Sequence, residues 1–171
     1  LAREFNYSES TFVLPSKEPS SDAKVRIFMP AQEVPFAGHP NVGTAFALAA
    51  TGAFGTLEDG EHTVSFEELG GVVPVRILIE DSMPVFCELT APQALQLGPE
   101  LPRAGLAKVL GLCDEDLRGG AAIPIVASVG LPIAMVELVS AEALGKASVS
   151  AEDWAAYTSA CGGVLVFVRD I

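Results

Sequence analysis

Hydrophobic residues in this chain recur mainly at every second position, in short runs that stop at proline, glycine or acidic residues, which is the pattern of β-strands. "STFVLP" (10–15) and "AKVRIFMP" (23–30) are two such runs, joined by the polar loop "SKEPSSD", and together they predict a hairpin. "HTVSFEE", "GVVPVRILIE" and "PVFCELT" predict three further strands. In the middle one Val73, Val75, Ile77 and Ile79 share one side, and Gly70-Gly71 supplies the turn before it. One segment departs from alternation. From Pro40 to Thr51 the chain is small, apolar and without charge, which predicts a helix apolar on every side. Such a helix is enclosed on every side, here by a curved sheet drawn from residues 11–90.

The composition changes at "APQALQLGPELPRAG" (91–105), which has prolines and glycines but no β-branched residue. It predicts a linker over 93–104 between a first domain, 1–92, and a second, 105–171. Beyond it the pattern predicts a helix from Gly105 to Leu112 and buried strands at Ile123–Ser128 and Ile133–Val139. Helices follow at "SAEALGKA" and "VSAEDWAAYTSAC", then a strand at Val164–Val168. Ser150 and Asp153 resemble a capping box at the second of those helices. No internal repeat is evident. "LAREFNYSES" reads as the last turn of a helix and "GGVLVFVRDI" as a strand without partners, so both ends read as cut.

Charge narrows the function classes. Of 171 residues 22 are acidic and 10 basic, a net charge of −12, and the basic residues form no cluster. That argues against a nucleic-acid partner and against an anionic membrane surface. The most apolar window, Ala121–Val136, is interrupted by Pro124, Ser128, Gly130 and Pro132. It falls short of the roughly 20 apolar residues a membrane-spanning helix needs. Cys87, Cys113 and Cys161 are odd in number and in no paired spacing, so they read as small buried side chains in a reducing cytoplasm. His39 and His62 have no metal-ligand spacing.

The chemistry concentrates in "EVPFAGHPNVGTAFALAATG" (33–52). Proline suits the first helical position, where its missing N–H costs nothing. That places Pro40 there and His39 at the N-cap, with Asn41 and Val42 in a first turn whose N–H groups favour an anion such as a carboxylate. In "FNYSES" (5–10), Ser8 and Glu9 precede a strand. Both features also have plainer readings, a capped core helix and a turn with a solvated carboxylate, and the pattern alone leaves these open.

"NYSESTFVLP" followed by "RIFMPAQEVPFAGHPNVGTAFAL" resembles the phenazine-biosynthesis PhzF-like family of isomerases. "IVASVGLPIAMVELVSAEAL" continues the resemblance more weakly. It implies an α+β fold like diaminopimelate epimerase: β-barrel-like rolls, each around a central buried helix, with the second roll only in part here and the site in the cleft between them. It matches Glu9 to the family's acid/base carboxylate, and Ser8, Gly38 and His39 to substrate-contacting positions. It implies no metal and no organic cofactor, and leaves a homodimer open. The family's first strand would precede Leu1, and its Asp-Pro-Ala-x-Gly-Ser half-site would follow Ile171.

The reaction so implied is proton movement on a small carboxylate-bearing substrate. Glu9 takes a proton from one carbon and returns it to another, while the helix start at Asn41 and Val42 holds the carboxylate. Three alternatives stand beside it. A thiol-based racemase of the same fold lacks a cysteine at the helix mouth, where Gly38, His39 and Pro40 stand. The others are a member that binds a small acid without turning it over, and a fragment without a complete site.

Overall fold

The computed structural model describes residues 1–149, 151–155 and 161–169. They divide into two compact units, Leu1–Ala94 and Leu95–Ile171.

The first unit opens with a short helix, α1 (Ala2–Phe5), closed by Asn6 in the left-handed conformation, which asparagine tolerates. Then come β1 (Ser10–Leu14), β2 (Ala23–Phe28), β3 (Glu33–Val34), α2 (Gly38–Ala50), β4 (Gly60–Glu68), β5 (Gly71–Glu80) and β6 (Met83–Leu89). The sheet order is β1-β2-β4-β5-β6, with the small β3 paired to β2. β1 and β2 form the predicted hairpin, with Phe12 opposite Arg26. β2 and β4 run parallel, with α2 in the connection between them.

The alternation seen in the sequence sets which side faces in. Val25 and Ile27 of β2, Val64 and Phe66 of β4, and Val73, Val75, Ile77 and Ile79 of β5 are all buried. α2 packs against β5, β6 and β1. The two outer strands of the sheet therefore reach the same helix, and the sheet is curled around it as a half-barrel. Gly70, in the β4–β5 turn, has no room for a side chain, since a Cβ there would lie 2.9 Å from Pro35 O. The β5–β6 turn uses Asp81 and Ser82 at positive φ, and both N–H groups donate to the Asp59 carboxylate.

One expectation fails here. α2 is not buried all round. Pro40, Asn41, Thr44 and Ala45 face the sheet, while Gly43, Phe46, Ala47 and Ala50 are exposed. A half-barrel covers only one side of the helix, so the uncharged sequence leaves an open apolar face.

The second unit contains β7 (Gln96–Glu100), α3 (Arg103–Val109), a 3-10 turn (Asp114–Asp116), β8 (Ile125–Ser128), β9 (Ile133–Glu137), α4 (Ala141–Lys146), α5 (Ala151–Trp154) and β10 (Gly163–Phe167). Its sheet order is β10-β9-β8-β7, with β10 parallel to β9. Leu106, Leu110, Leu117, Val126, Val136 and Leu138 form its core. Ser140 Oγ caps α4 by accepting from Ala143 N at 3.1 Å.

The predicted linker, 93–104, is not one. It holds β7 and the start of α3. β7 lies at the edge of the sheet, with a register shift between Leu97 and Glu100 that accommodates Pro99. Proline is tolerated at edges and bulges, where no ladder donor is required. Ser150, half of the predicted capping box, and 156–160 of the predicted helix lie outside the described residues.

Candidate active site

Three rows of residues meet beside the first turns of α2. The extended chain at 9–13 sends Glu9, Thr11 and Val13 to one side, at the strand period of two. α2 sends His39, Gly43 and Ala47 along one line and Pro40, Thr44 and Leu48 along the next, at the helical spacing of four. These rows line a groove of about 390 Å³. Thr44 ties its walls together. Its hydroxyl donates to Pro40 O at 2.7 Å and lies 2.9 Å from Thr11 Oγ1. A hydroxyl carries one proton, so Thr11 is the donor to Thr44.

At the mouth, His39 Nε2 lies 3.2 Å from Glu9 Oε2. The imidazole is exposed, whereas the Glu9 side chain is 19% exposed. Glu9 Oε2 itself is buried and lacks a partner in hydrogen-bond geometry among the described residues. The pair is close enough for an ion pair but is not aligned as a hydrogen bond, which leaves that oxygen able to accept from another group.

α2 begins two residues before the position read from Pro40. Its N-cap is Ala37, in extended conformation, and its first helical residue is Gly38. Alanine has no side chain that can cap. The N–H groups left without an intrahelical acceptor therefore belong to Gly38 and His39, and Pro40 has none. Asn41 and Val42 enter the i→i−4 ladder, so their N–H groups are not the anion donors the sequence suggested. Proline is as harmless at the third helical position as at the first, because that N–H is also unpaired, and this is why Pro40 misplaced the helix start.

Of the sequence-derived residues, Glu9 and His39 are brought together and Gly38 adjoins them. Ser8 is exposed beside Glu9, outside the groove lining. Val42 is half-buried and also outside it. Asn41 is fully buried, and its Nδ2 donates to Ala37 O at 3.1 Å. Thr11, Gly43 and Thr44 line the groove without having been singled out. The same two periods that define the rows pointed to them.

A sheet curled as a half-barrel around one helix is a fold of the epimerase type. A structure from Pseudomonas aeruginosa described as a predicted epimerase superposes with a TM-score of 0.76 at 28% identity, over 99% of this chain and 57% of that one. The chain belongs to the Phenazine biosynthesis-like protein family, whose pattern it matches over residues 1–170. A Mesorhizobium japonicum protein named an uncharacterised isomerase is 34% identical over 157 residues, covering 90% of this chain and 50% of that protein. The trans-2,3-dihydro-3-hydroxyanthranilate isomerase of Pseudomonas aeruginosa is 42% identical over 92 residues, covering 54% of this chain and 30% of the enzyme. The chain spans half the length or less of these two relatives. No helix among the described residues is long and apolar enough to cross a membrane.

Proposed function

We propose that this chain carries the glutamate side of a proton-transfer site in an isomerase that acts on a small carboxylate-bearing substrate without a cofactor. The observation that carries the reading is Glu9 Oε2: buried, unpartnered in hydrogen-bond geometry, and 3.2 Å from His39 at the end of a groove. A carboxylate so placed can take a proton from a substrate carbon and return it to another, which moves a double bond. The Gly38 and His39 N–H groups, at the positive end of the α2 dipole, suit a substrate carboxylate and the negative charge that develops beside it. His39 orients Glu9 or donates to the substrate. The named relative acts on a ring that carries a carboxylate, and the groove volume lies in the range of small-molecule sites.

The test is Glu9→Gln in the complete protein. Gln keeps the shape but cannot accept the proton. Anthranilate, used as a stable ring carboxylate, should still bind and shift the Gly38 and His39 amide resonances. Turnover and exchange of the substrate's acidic C–H with D₂O should both fall by ~10²–10⁴-fold. A Glu9→Gln protein that turns over and exchanges at the parent rate overturns the acid/base role. Anthranilate that leaves both amides unmoved overturns the carboxylate site.

A further inference from the structure

Behind the first turn of α2 lies a carboxyl group that the mechanism above does not use. Glu68 ends β4 on the inward row that begins with Val64 and Phe66, and it is 9% exposed. Its Oε1 and Oε2, together with Asn41 Oδ1, are buried and without a hydrogen-bond partner among the described residues. All three are acceptors. Asn41 supplies the one side-chain amide acting on Glu68, and that amide also donates to Ala37 O. Several ionisable groups of the surrounding elements have other partners, among them Glu33 of β3, which pairs with Arg26. Glu67 of β4 pairs with Lys24, Arg76 of β5 pairs with Glu61 and Glu88, and His39 of α2 approaches Glu9.

Buried acceptors with no donor among them are costly, and a buried carboxylate with no cation is costlier still. One proton on Glu68 relieves both. It removes the charge and creates an O–H donor for Asn41 Oδ1.

We propose that Glu68 is a proton-carrying positioning residue: as the neutral acid it donates to Asn41 Oδ1, which keeps Asn41 Nδ2 on Ala37 O and fixes the first turn of α2. When that proton leaves for solvent, the carboxylate draws Nδ2 away from Ala37 O and places a negative charge behind the turn. Burial pushes the Glu68 carboxyl up to about 7, against a weaker downward pull from the Asn41 amide, so the change falls near neutral pH. The consequence for ligand binding rests on the carboxylate-site reading given above. An anion at Gly38 and His39 binds less well over an ionised Glu68, and by reciprocity its binding favours protonation of Glu68.

The experiment has two arms. In the first, with no ligand, NMR follows the Glu68 Cδ, the Asn41 side-chain amide and the Gly38 and His39 backbone amides from pH 5 to 9. A shared midpoint near 7 is expected in the parent protein and also in a His39→Asn background, which removes the imidazole. That midpoint should vanish from the amides in Glu68→Gln, whose neutral side chain can still donate to Asn41. Amides that do not titrate with Glu68, or that titrate unchanged in Glu68→Gln, overturn the proposal. In the second arm, anthranilate affinity should fall about five- to tenfold between pH 6 and 8, within the range of site-to-site coupling, and should be flat in Glu68→Gln. Equal pH dependence in both proteins overturns the link to the site. Absence of binding at every pH overturns the carboxylate-site reading instead, and the first arm still decides the role of Glu68.

Discussion

Two adjacent glutamates on β4 show how far one residue's environment departs from its neighbour's. Glu67 points away from α2 and accepts from Lys24 Nζ at 2.5 Å, from Ser16 Oγ and from the Lys17 N–H. These donors, with Lys24 foremost, hold its carboxyl down at about 2. The contribution of Glu67 to stability is therefore present above about 4.5 and is lost as pH falls through about 2. Glu68 points inward and is raised to about 7 by burial. Between about 4.5 and 7 the folded state keeps a proton that the unfolded chain has released, so stability falls as pH rises through that window and is level above it. Glu68→Gln has no such term. Its stability relative to the parent should rise by roughly 2–3 kcal/mol from pH 4 to pH 8, read by urea denaturation at fixed pH values. A constant difference across that range would show that Glu68 ionises without cost in the fold.

At the scale of the element, α2 explains both the groove and its openness. Its inward row, Pro40, Thr44 and Leu48, rests beside β1, and Thr44 reaches the Thr11 hydroxyl. Its outward row is uncharged but uncovered. Gly43 lies on that outward row, in the interior of the helix sequence, and a methyl added there would meet no atom within 4 Å. Glycine in a helix interior is less stable than alanine by roughly 0.5–1 kcal/mol. Gly43→Ala should therefore stabilise the protein by about that amount in thermal or urea unfolding. Because Gly43 also lines the groove, the same methyl narrows it, and anthranilate affinity should fall while stability rises. A variant that loses stability would mean that α2 is strained at this position.

Across the whole molecule, each unit carries its own core. Phe66, Ile27 and Ile77 are fully buried in the first, and Leu106, Leu110 and Leu138 in the second. In the second unit Glu137 is also buried and is matched by Arg118 at 2.7 Å and by Arg169, so its charge is compensated where that of Glu68 is not. Phe66→Ala should cost about 3–5 kcal/mol and Leu110→Ala about 2–5 kcal/mol. Hydrogen exchange gives the sharper test. Lost protection should be confined to β2, β4 and β5 in the first variant and to α3, β8 and β9 in the second. Loss spread evenly over all of these strands in either variant would mean that the two cores unfold as one.

Much of the architecture was legible in residue order. Period-two rows such as Val73–Ile79 identify a strand and its inward face at once, because a pleated strand sends alternate side chains to opposite sides. The apolar run after Pro40 identifies α2, and the order of motifs around Ser8–Glu9 and Gly38–Asn41 identifies the family. Glu68 stands at period two from Val64 and Phe66, but a carboxylate at the end of such a row reads as solvated until its surroundings are known, and its inward place emerged only from the fold. Three matters were left to the tertiary structure. The start of α2 depended on the conformation of Ala37, since an unpaired N–H makes proline equally acceptable at more than one early position. The strand character of 96–100 depended on pairing with β8, which overrode Gly98 and Pro99. The meeting of Glu9 with His39, and of Glu68 with Asn41, depended on sheet curvature. Local spacing says which side of an element a residue occupies; which other element faces that side is decided only when the chain closes on itself.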